Sequence, residues 1–416
     1  MGFYVELAEE AERELSGADQ ARWLVRLETE HDNLRAALSR SLGESGDAAS
    51  GVRLAAALWP FWFARGYLSE GRRWLEGAIS GSRRSGTATR ARAKALNGAG
   101  SLATFQGDYE AAKALIEEGL SLNRELEDRE GIASSLANLC GVAMLGQRDD
   151  IPVAAVLEEA IRLRPELEDR RTVGNLLILE GIGAFARGDW ERALALDEEG
   201  LRQYREAGDA YGITMCLIQI GFVTLARGDH ERATPTLRES LRLARGLDHK
   251  PFIQYSLTGL AGVAASRGWP VRAARLWGTT EAMAETFGGQ IVRSARSMID
   301  YEGRLAAARS RLDEASWSAA WAEGRAMTAE QAVEYALEQE EGTAEQAAPE
   351  PYPAGLSARE ADVLRLVASG LTNAEVAGKL FISPRTVNWH LGSVYRKLGF
   401  HSRTQATRFA VEHGLL

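Results

Sequence analysis

Gly221-Phe-Val-Thr-Leu-Ala-Arg-Gly-Asp-His-Glu231 reads as the end of one helix, a turn and the start of the next. The same sentence returns as Gly181-Ile-Gly-Ala-Phe-Ala-Arg-Gly-Asp-Trp-Glu191 and as Gly100-Ser-Leu-Ala-Thr-Phe-Gln-Gly-Asp-Tyr-Glu110. Glycine closes a helix in the left-handed conformation that other residues resist, and the aspartate after it caps the next helix. Working outward, Gly100, Gly141, Gly181, Gly221 and Ala261 recur at steps of 41, 40, 40 and 40, each followed seven residues later by a turn position: Gly107, Arg148, Gly188, Gly228 and Gly268. Five residues beyond the turn glycine, Ala112, Ala193, Ala233 and Ala273 give the second helix a small contact position. Gly66 with Tyr67 opens the series 41 residues earlier, with Trp59 where the small residue would stand. At least six helix pairs are therefore expected, no one of which buries a core by itself.

This pattern is similar to a tetratricopeptide-type solenoid with helices longer than the usual unit. The expected architecture is all-α, with residues 53–290 as the repeats, 1–52 as an N-terminal helical region and 291–340 as a helical cap that includes Trp317-Ser-Ala-Ala-Trp321 and a capping box at Thr328-Ala-Glu-Gln331. Residues 341–355 change composition to proline, acid and small residues and read as a flexible linker. The tryptophans and alanine stripes of the repeats are core material, so no ligand site is assigned there.

Beyond the linker, residues 356–416 spell four short helices. Ser357-Ala-Arg-Glu360, Thr372-Asn-Ala-Glu375 and Ser402-Arg-Thr-Gln405 are capping boxes, and Ser383-Pro384 is a cap followed by proline at the first helical position. Only a tight turn, Phe381-Ile382, fits between the second and third helices, which is helix-turn-helix spacing. On the third helix Val387, Leu391, Val394 and Leu398 form an apolar stripe, for which Leu364, Val367, Val376, Ala377 and Leu380 supply the complementary surface. Arg385, Trp389, Gly392 and Arg396 lie opposite, with Asn388 and Ser393 beside them, and no acidic residue occurs from Pro384 to Gly399. An apolar back, a basic and polar front and a glycine allowing close approach suit the DNA major groove.

At Leu356-Ser-Ala-Arg-Glu-Ala-Asp-Val-Leu364, Gly370-Leu-Thr-Asn-Ala-Glu-Val-Ala377, Ile382-Ser-Pro-Arg-Thr-Val-Asn-Trp-His-Leu391 and Lys397-Leu-Gly399 the chain resembles the LuxR-type helix-turn-helix family of bacterial transcription regulators. The resemblance implies base reading by Asn388, Trp389 and Gly392. Asparagine stands at a position that is often lysine in the family, which turns the expected pairing toward adenine. Arg385, His390, Arg396 and Lys397 are expected to clamp phosphates, and Thr372 and Asn373 to offer backbone amides to another. The closing helix, residues 403–413, presents Ala406, Phe409 and Ala410 as a surface on which two copies would pair.

Charge divides the same way. Residues 356–416 carry eight Lys/Arg against four Asp/Glu, a balance of +4 that leaves −13 to the rest of a chain of net charge −9. Only the tail should approach a phosphate backbone; a basic tail folded back on the acidic body would give the same asymmetry. No phosphate-binding loop, His-Glu-x-x-His or Gly-x-Ser-x-Gly occurs, and His31 in Glu-His-Asp-Asn reads as part of an amphipathic helix, so no catalytic, cofactor or metal residue is expected and ATP should be neither bound nor hydrolysed. Leu54 to Ala64, the most apolar run, is too short for a bilayer. With Cys140 and Cys216 lacking metal-type spacing, a bacterial cytoplasmic protein with buried free thiols is expected.

Repeats followed by this tail resemble the large ATP-dependent LuxR-family regulators of actinobacteria, in which an ATPase module and a winged-helix segment precede the repeats. Leu27-Glu-Thr-Glu-His-Asp-Asn-Leu-Arg-Ala-Ala-Leu38 is similar to the junction after that module. A shortened regulator, a fragment and a late-started gene model all fit. The function expected is sequence-specific DNA binding for transcription regulation, with double-stranded DNA as one partner and a protein, peptide or small effector on the solenoid as another. The alternatives are a solenoid adaptor whose tail serves dimerisation and the C-terminal part of an ATP-dependent regulator.

Overall fold

The computed structural model describes residues 2–15, 17, 19–43, 46–83, 89–287, 298–338, 356, 358–380, 384–398, 400, 402–413 and 415, with the backbone but not the side chains of residues 21, 286, 287, 358, 359, 384–386, 389 and 396. All regular structure among them is helical, and the chain forms two compact units, Met1–Glu338 and Gln339–Leu416. The expected linker, residues 341–355, lies outside the described residues.

The first unit opens with α1 (Gly2–Glu14), α2 (Gln20–Thr29) and α3 (His31–Leu42). Six antiparallel pairs follow: α4 (Ala48–Arg65) with α5 (Leu68–Arg83), α6 (Arg90–Phe105) with α7 (Tyr109–Glu125), α8 (Arg129–Gly146) with α9 (Val153–Leu163), α10 (Arg170–Ala186) with α11 (Trp190–Ala207), α12 (Ala210–Ala226) with α13 (His230–Gly246), and α14 (Lys250–Ser266) with α15 (Pro270–Phe287). The first helix of each pair packs on its partner and also on the first helix of the next pair, α4 on α6 through to α12 on α14. Stacking of this kind buries a continuous core repeat by repeat, as in a tetratricopeptide-like solenoid.

The turns follow the sequence rule. Gly107, Gly188 and Gly228 sit at φ of 80°, 75° and 80°. The aspartate after each accepts a backbone N–H of the next helix: Asp108 from Ala111 (3.2 Å), Asp189 from Arg192 (3.2 Å) and Asp229 from Arg232 (3.1 Å). Ala112, Ala193, Ala233 and Ala273 are fully buried. Gly221 is small for the same reason, since a Cβ there would stand 2.5 Å from Leu237 Cδ2 across the pair.

The third pair departs from the pattern. Its left-handed turn residue is Gln147 (φ 51°), not Arg148 one position later. Arg148 instead sends its guanidinium to Asp150 and Glu110, and α9 starts only after Pro152, with Ala160 as its one buried residue. A non-glycine residue at positive φ leaves no sequence signal.

One buried group works against the fold. Asp197 of α11 is 1% exposed, and its Oδ1 has no hydrogen-bond partner. Burial, with Glu198 nearby, pushes its carboxyl well above the usual range. A carboxyl whose folded pKa is raised binds its proton more tightly folded than unfolded, so stability falls as pH rises above the ordinary carboxylate value of about 3.9. Asp197→Asn is expected to remove that loss, gaining roughly 1–3 kcal/mol at pH 8 and much less at pH 4.5. Thermal melts of both proteins across that range test it; parallel pH profiles would refute the assignment. The thiols behave alike: burial pushes Cys140 up to about 11 and Cys216 further, so both stay neutral and poorly nucleophilic.

The unit ends with α16 (Tyr301–Arg309), α17 (Glu314–Ala326) and α18 (Ala329–Leu337), packed on α13–α15. Thr328 and Gln331 form the capping box in full at the start of α18. At the crossing of α15 and α17, Gly278 faces the Trp321 carbonyl, Gly324 faces the Arg275 backbone, and Thr279 Oγ1 donates to Gly324 O at 2.7 Å.

The second unit contains α19 (Ala358–Ala368), α20 (Asn373–Leu380), α21 (Pro384–Leu398) and α22 (Arg403–Glu412). Val387, Leu391 and Val394 are buried as the stripe requires. Val387 and Leu391 pack with Val363, Val367, Val376 and Ala377, and Val394 packs with Leu364, Ala406 and Ala410. This corrects one expectation: Ala406 and Ala410 are not a free pairing surface but lie in the unit's own core, because α22 must cover α19. Opposite them, Val411 is 59% exposed.

Candidate nucleic-acid interface

Helix α20 begins with the expected capping box. Thr372 N donates to Glu375 Oε2 (2.7 Å) and Glu375 N donates to Thr372 Oγ1 (3.3 Å). The Thr372 amide and hydroxyl hold the Glu375 carboxyl below the usual carboxylate range. Of the two residues expected to offer backbone amides to phosphate, Thr372 therefore already spends its amide on Glu375.

Asn388 and Gly392 stand one turn apart on α21, both exposed, and no atom lies within 4 Å of a Cβ built at Gly392. The backbone there is open to a close partner. Asn388 is joined to the start of α20: Asn373 Nδ2 donates to Asn388 Oδ1 at 2.5 Å, and Arg403 Nη1 donates to Asn373 Oδ1 at 3.1 Å. Arg403 Nη2 also donates to the carbonyls of Leu371 and Val367. Arg403 thus ties the start of α22 to the helix-turn-helix, a role masked in the sequence because Ser402-Arg-Thr-Gln405 reads there only as a cap.

Lys397 and Ser393 face the other way along α21. Both reach Glu360 of α19, Lys397 Nζ at 2.7 Å from Oε2 and Ser393 Oγ donating to Oε1 at 2.6 Å. The Glu360 side chain is 5% exposed and that of Lys397 is 41% exposed. The lysine expected on phosphate is thereby already paired. His390 is half-buried. The side chains of Arg385, Trp389 and Arg396, together with Ser357, the turn Phe381-Ile382 and Ser383, lie outside the described residues.

His31, the one histidine that invited a catalytic reading, is buried against Phe61 and Tyr67 with Nε2 3.2 Å from Glu70 Oε1. It serves the packing of α3 on α4 and α5. Among the described residues no group of three or more His, Cys, Asp or Glu could hold a metal, and no helix is long and apolar enough to cross a membrane.

Comparison with known proteins agrees with this geometry. Residues 354–410 match the model of the bacterial regulatory proteins of the luxR family, and residues 93–126, which span α6 and α7, match a tetratricopeptide repeat. A Mycobacterium bovis protein named as an HTH-type transcriptional regulator is 37% identical over 158 residues, 37% of this chain and 17% of that protein. The nitrate/nitrite response regulator protein homolog of Haemophilus influenzae is 50% identical over 52 residues, 12% of this chain and 25% of its own. The chain thus spans about a sixth and a quarter of these relatives' lengths. Among solved structures, a Rap protein complexed with competence and sporulation factor superposes with a TM-score of 0.45 at 10% identity, over 73% of this chain and 99% of that one. The chain carries a LuxR-family helix-turn-helix at its C-terminal end, behind a body of tetratricopeptide-like repeats.

Proposed function

We propose that this chain is a sequence-specific, non-enzymatic transcription regulator that acts in the cytoplasm. Its second unit reads double-stranded DNA through α21, and its repeats take a protein, peptide or small effector. The observation that carries the reading is the exposed front of α21, where Asn388 and Gly392 stand clear of the core on a helix without an acidic residue. Arg385, Trp389, His390, Arg396 and Lys397 are assigned to the same interface, with Arg385, Arg396 and Lys397 on phosphates. A second copy would meet α22 through its exposed face around Val411, giving inverted half-sites about one helical turn apart.

The test divides the chain. Residues 354–416 are expected to bind duplex DNA with an affinity that falls about tenfold or more between 50 and 200 mM salt, because each phosphate contact releases counterions. Residues 1–338 should show no DNA affinity in the same gel-shift titration. Equal affinity of the two fragments, or a tail without any, would overturn the reading. An effector acts on DNA binding only through unequal affinity for two states of the protein, so its influence is bounded by that difference.

A further inference from the structure

The hydrogen bonds at the front of α21 have a fixed direction. A guanidinium can only donate, so the atom of Asn373 that meets Arg403 Nη1 at 3.1 Å is its carbonyl oxygen. The other end of the Asn373 amide is then its NH2 group, which can only donate, so the atom of Asn388 that it meets at 2.5 Å is Oδ1. Arg403 is itself held by the carbonyls of Leu371 and Val367. The relay runs one way, from guanidinium to amide to amide. It leaves the Asn388 carbonyl turned back to α20 and the Asn388 NH2 group turned away from it.

We infer that Asn373 and Arg403 are specificity-determining positioning residues that present Asn388 to the major groove as a hydrogen-bond donor, selecting guanine over adenine at the base it meets. This rests on the DNA-reading function proposed above. An unconstrained asparagine pairs with adenine by accepting from N6 and donating to N7. With Oδ1 engaged by Asn373 only one of its two lone pairs is left to accept, so the accepting half of that pairing is weakened, while the outward NH2 meets the adenine N6 amino group donor against donor. Guanine offers two acceptors, N7 and O6, at the same edge.

The experiment selects binding sites from a randomised duplex pool with the full chain and with Asn388→Ala, whose divergence from the parent marks the base pair that Asn388 reads. The parent is expected to prefer guanine over adenine there by about fivefold or more. Asn373→Asp then reverses the relay. Its carboxylate only accepts, so it draws the Asn388 NH2 inward and turns Oδ1 to the groove, while an acid at the first position of a helix remains favourable for folding. The expected result is a reversal toward adenine or cytosine, which present amino donors, whatever the change in overall affinity. A role confined to folding would lower affinity for all sequences and leave the preference in place. Adenine preferred by the parent, guanine still preferred by Asn373→Asp, or no base preference altered by Asn388→Ala would each overturn the inference. Absence of affinity for any duplex would instead remove the DNA-reading function, and the inference with it.

Discussion

Gly324→Ala is expected to prise α17 from α15 and cost about 3 kcal/mol, the upper part of the range for overpacking. An alanine in mid-helix ordinarily gains up to about 1 kcal/mol over glycine. Here the added Cβ would land on the Arg275 carbonyl and 2.7 Å from Arg275 Cα, so backbone rather than a side-chain tip must yield. Gly278 makes the reciprocal approach to the Trp321 carbonyl and leaves no slack on the facing helix. The Thr279 bond to Gly324 O and the ion pairs Arg275–Glu323 and Arg325–Glu285 flank the crossing and would be stretched together. Gly141→Ala is the control, because no atom lies within 4 Å of its Cβ. Thermal melts should show Gly324→Ala destabilised and Gly141→Ala unchanged or more stable, with amide exchange in α16–α18 accelerated only in the former. A Gly324→Ala protein as stable as the parent would contradict the crossing.

Lys397→Met should destabilise the second unit by about 2 kcal/mol. Breaking a buried ion pair from one side costs about 3–5 kcal/mol, because the remaining charge stays out of water. Water at the 41% exposed lysine lowers that figure, while Glu360 at 5% exposure keeps much of it. Adding Glu360→Gln removes the stranded charge and should restore most of the melting temperature. The pair of variants also separates two roles of one lysine. If Lys397 touches phosphate as well, the double variant regains stability yet stays weak on every DNA sequence. Loss of stability that Glu360→Gln fails to repair would show that Lys397 does not act through Glu360.

What could be read in the sequence follows from the range of the forces involved. The Gly-Asp turns at residues 107, 188 and 228 were legible because both halves of the signal, a left-handed glycine and a capping aspartate, act within four residues. The stripe Val387, Leu391 and Val394 was legible because a helix repeats every 3.6 residues. The turn at Gln147 was not, since a glutamine in the left-handed region breaks the local rule that puts glycine there. Lys397 read as a free cation because its partner, Glu360, lies 37 residues away. Ala406 and Ala410 misled for a related reason: a short helix shows one apolar face, and nothing local says whether its own domain or a second copy covers it. Arg403 and Asn373, which set the direction of Asn388, were invisible because hydrogen-bond polarity belongs to the assembled cluster.

The irregular third pair has a mechanical meaning. Arg83–Glu118 joins α5 to α7, Arg124–Glu159 joins α7 to α9, and Arg205–Glu239 with Arg232–Glu198 joins α11 to α13, like staples along the outer rim of the array. Between α9 and α11 the link is indirect: Glu180 of α10, buried, takes Arg164 just past α9 at 2.9 Å and Arg192 of α11 at 2.6 Å, while α9 itself keeps only Ala160 buried. In a chain of nearest-neighbour contacts each joint contributes its own interface term to stability. The third pair is thus clipped to the fourth not by a direct pair between second helices but by one carboxylate shared between two guanidiniums, a joint whose two sides hang on a single side chain.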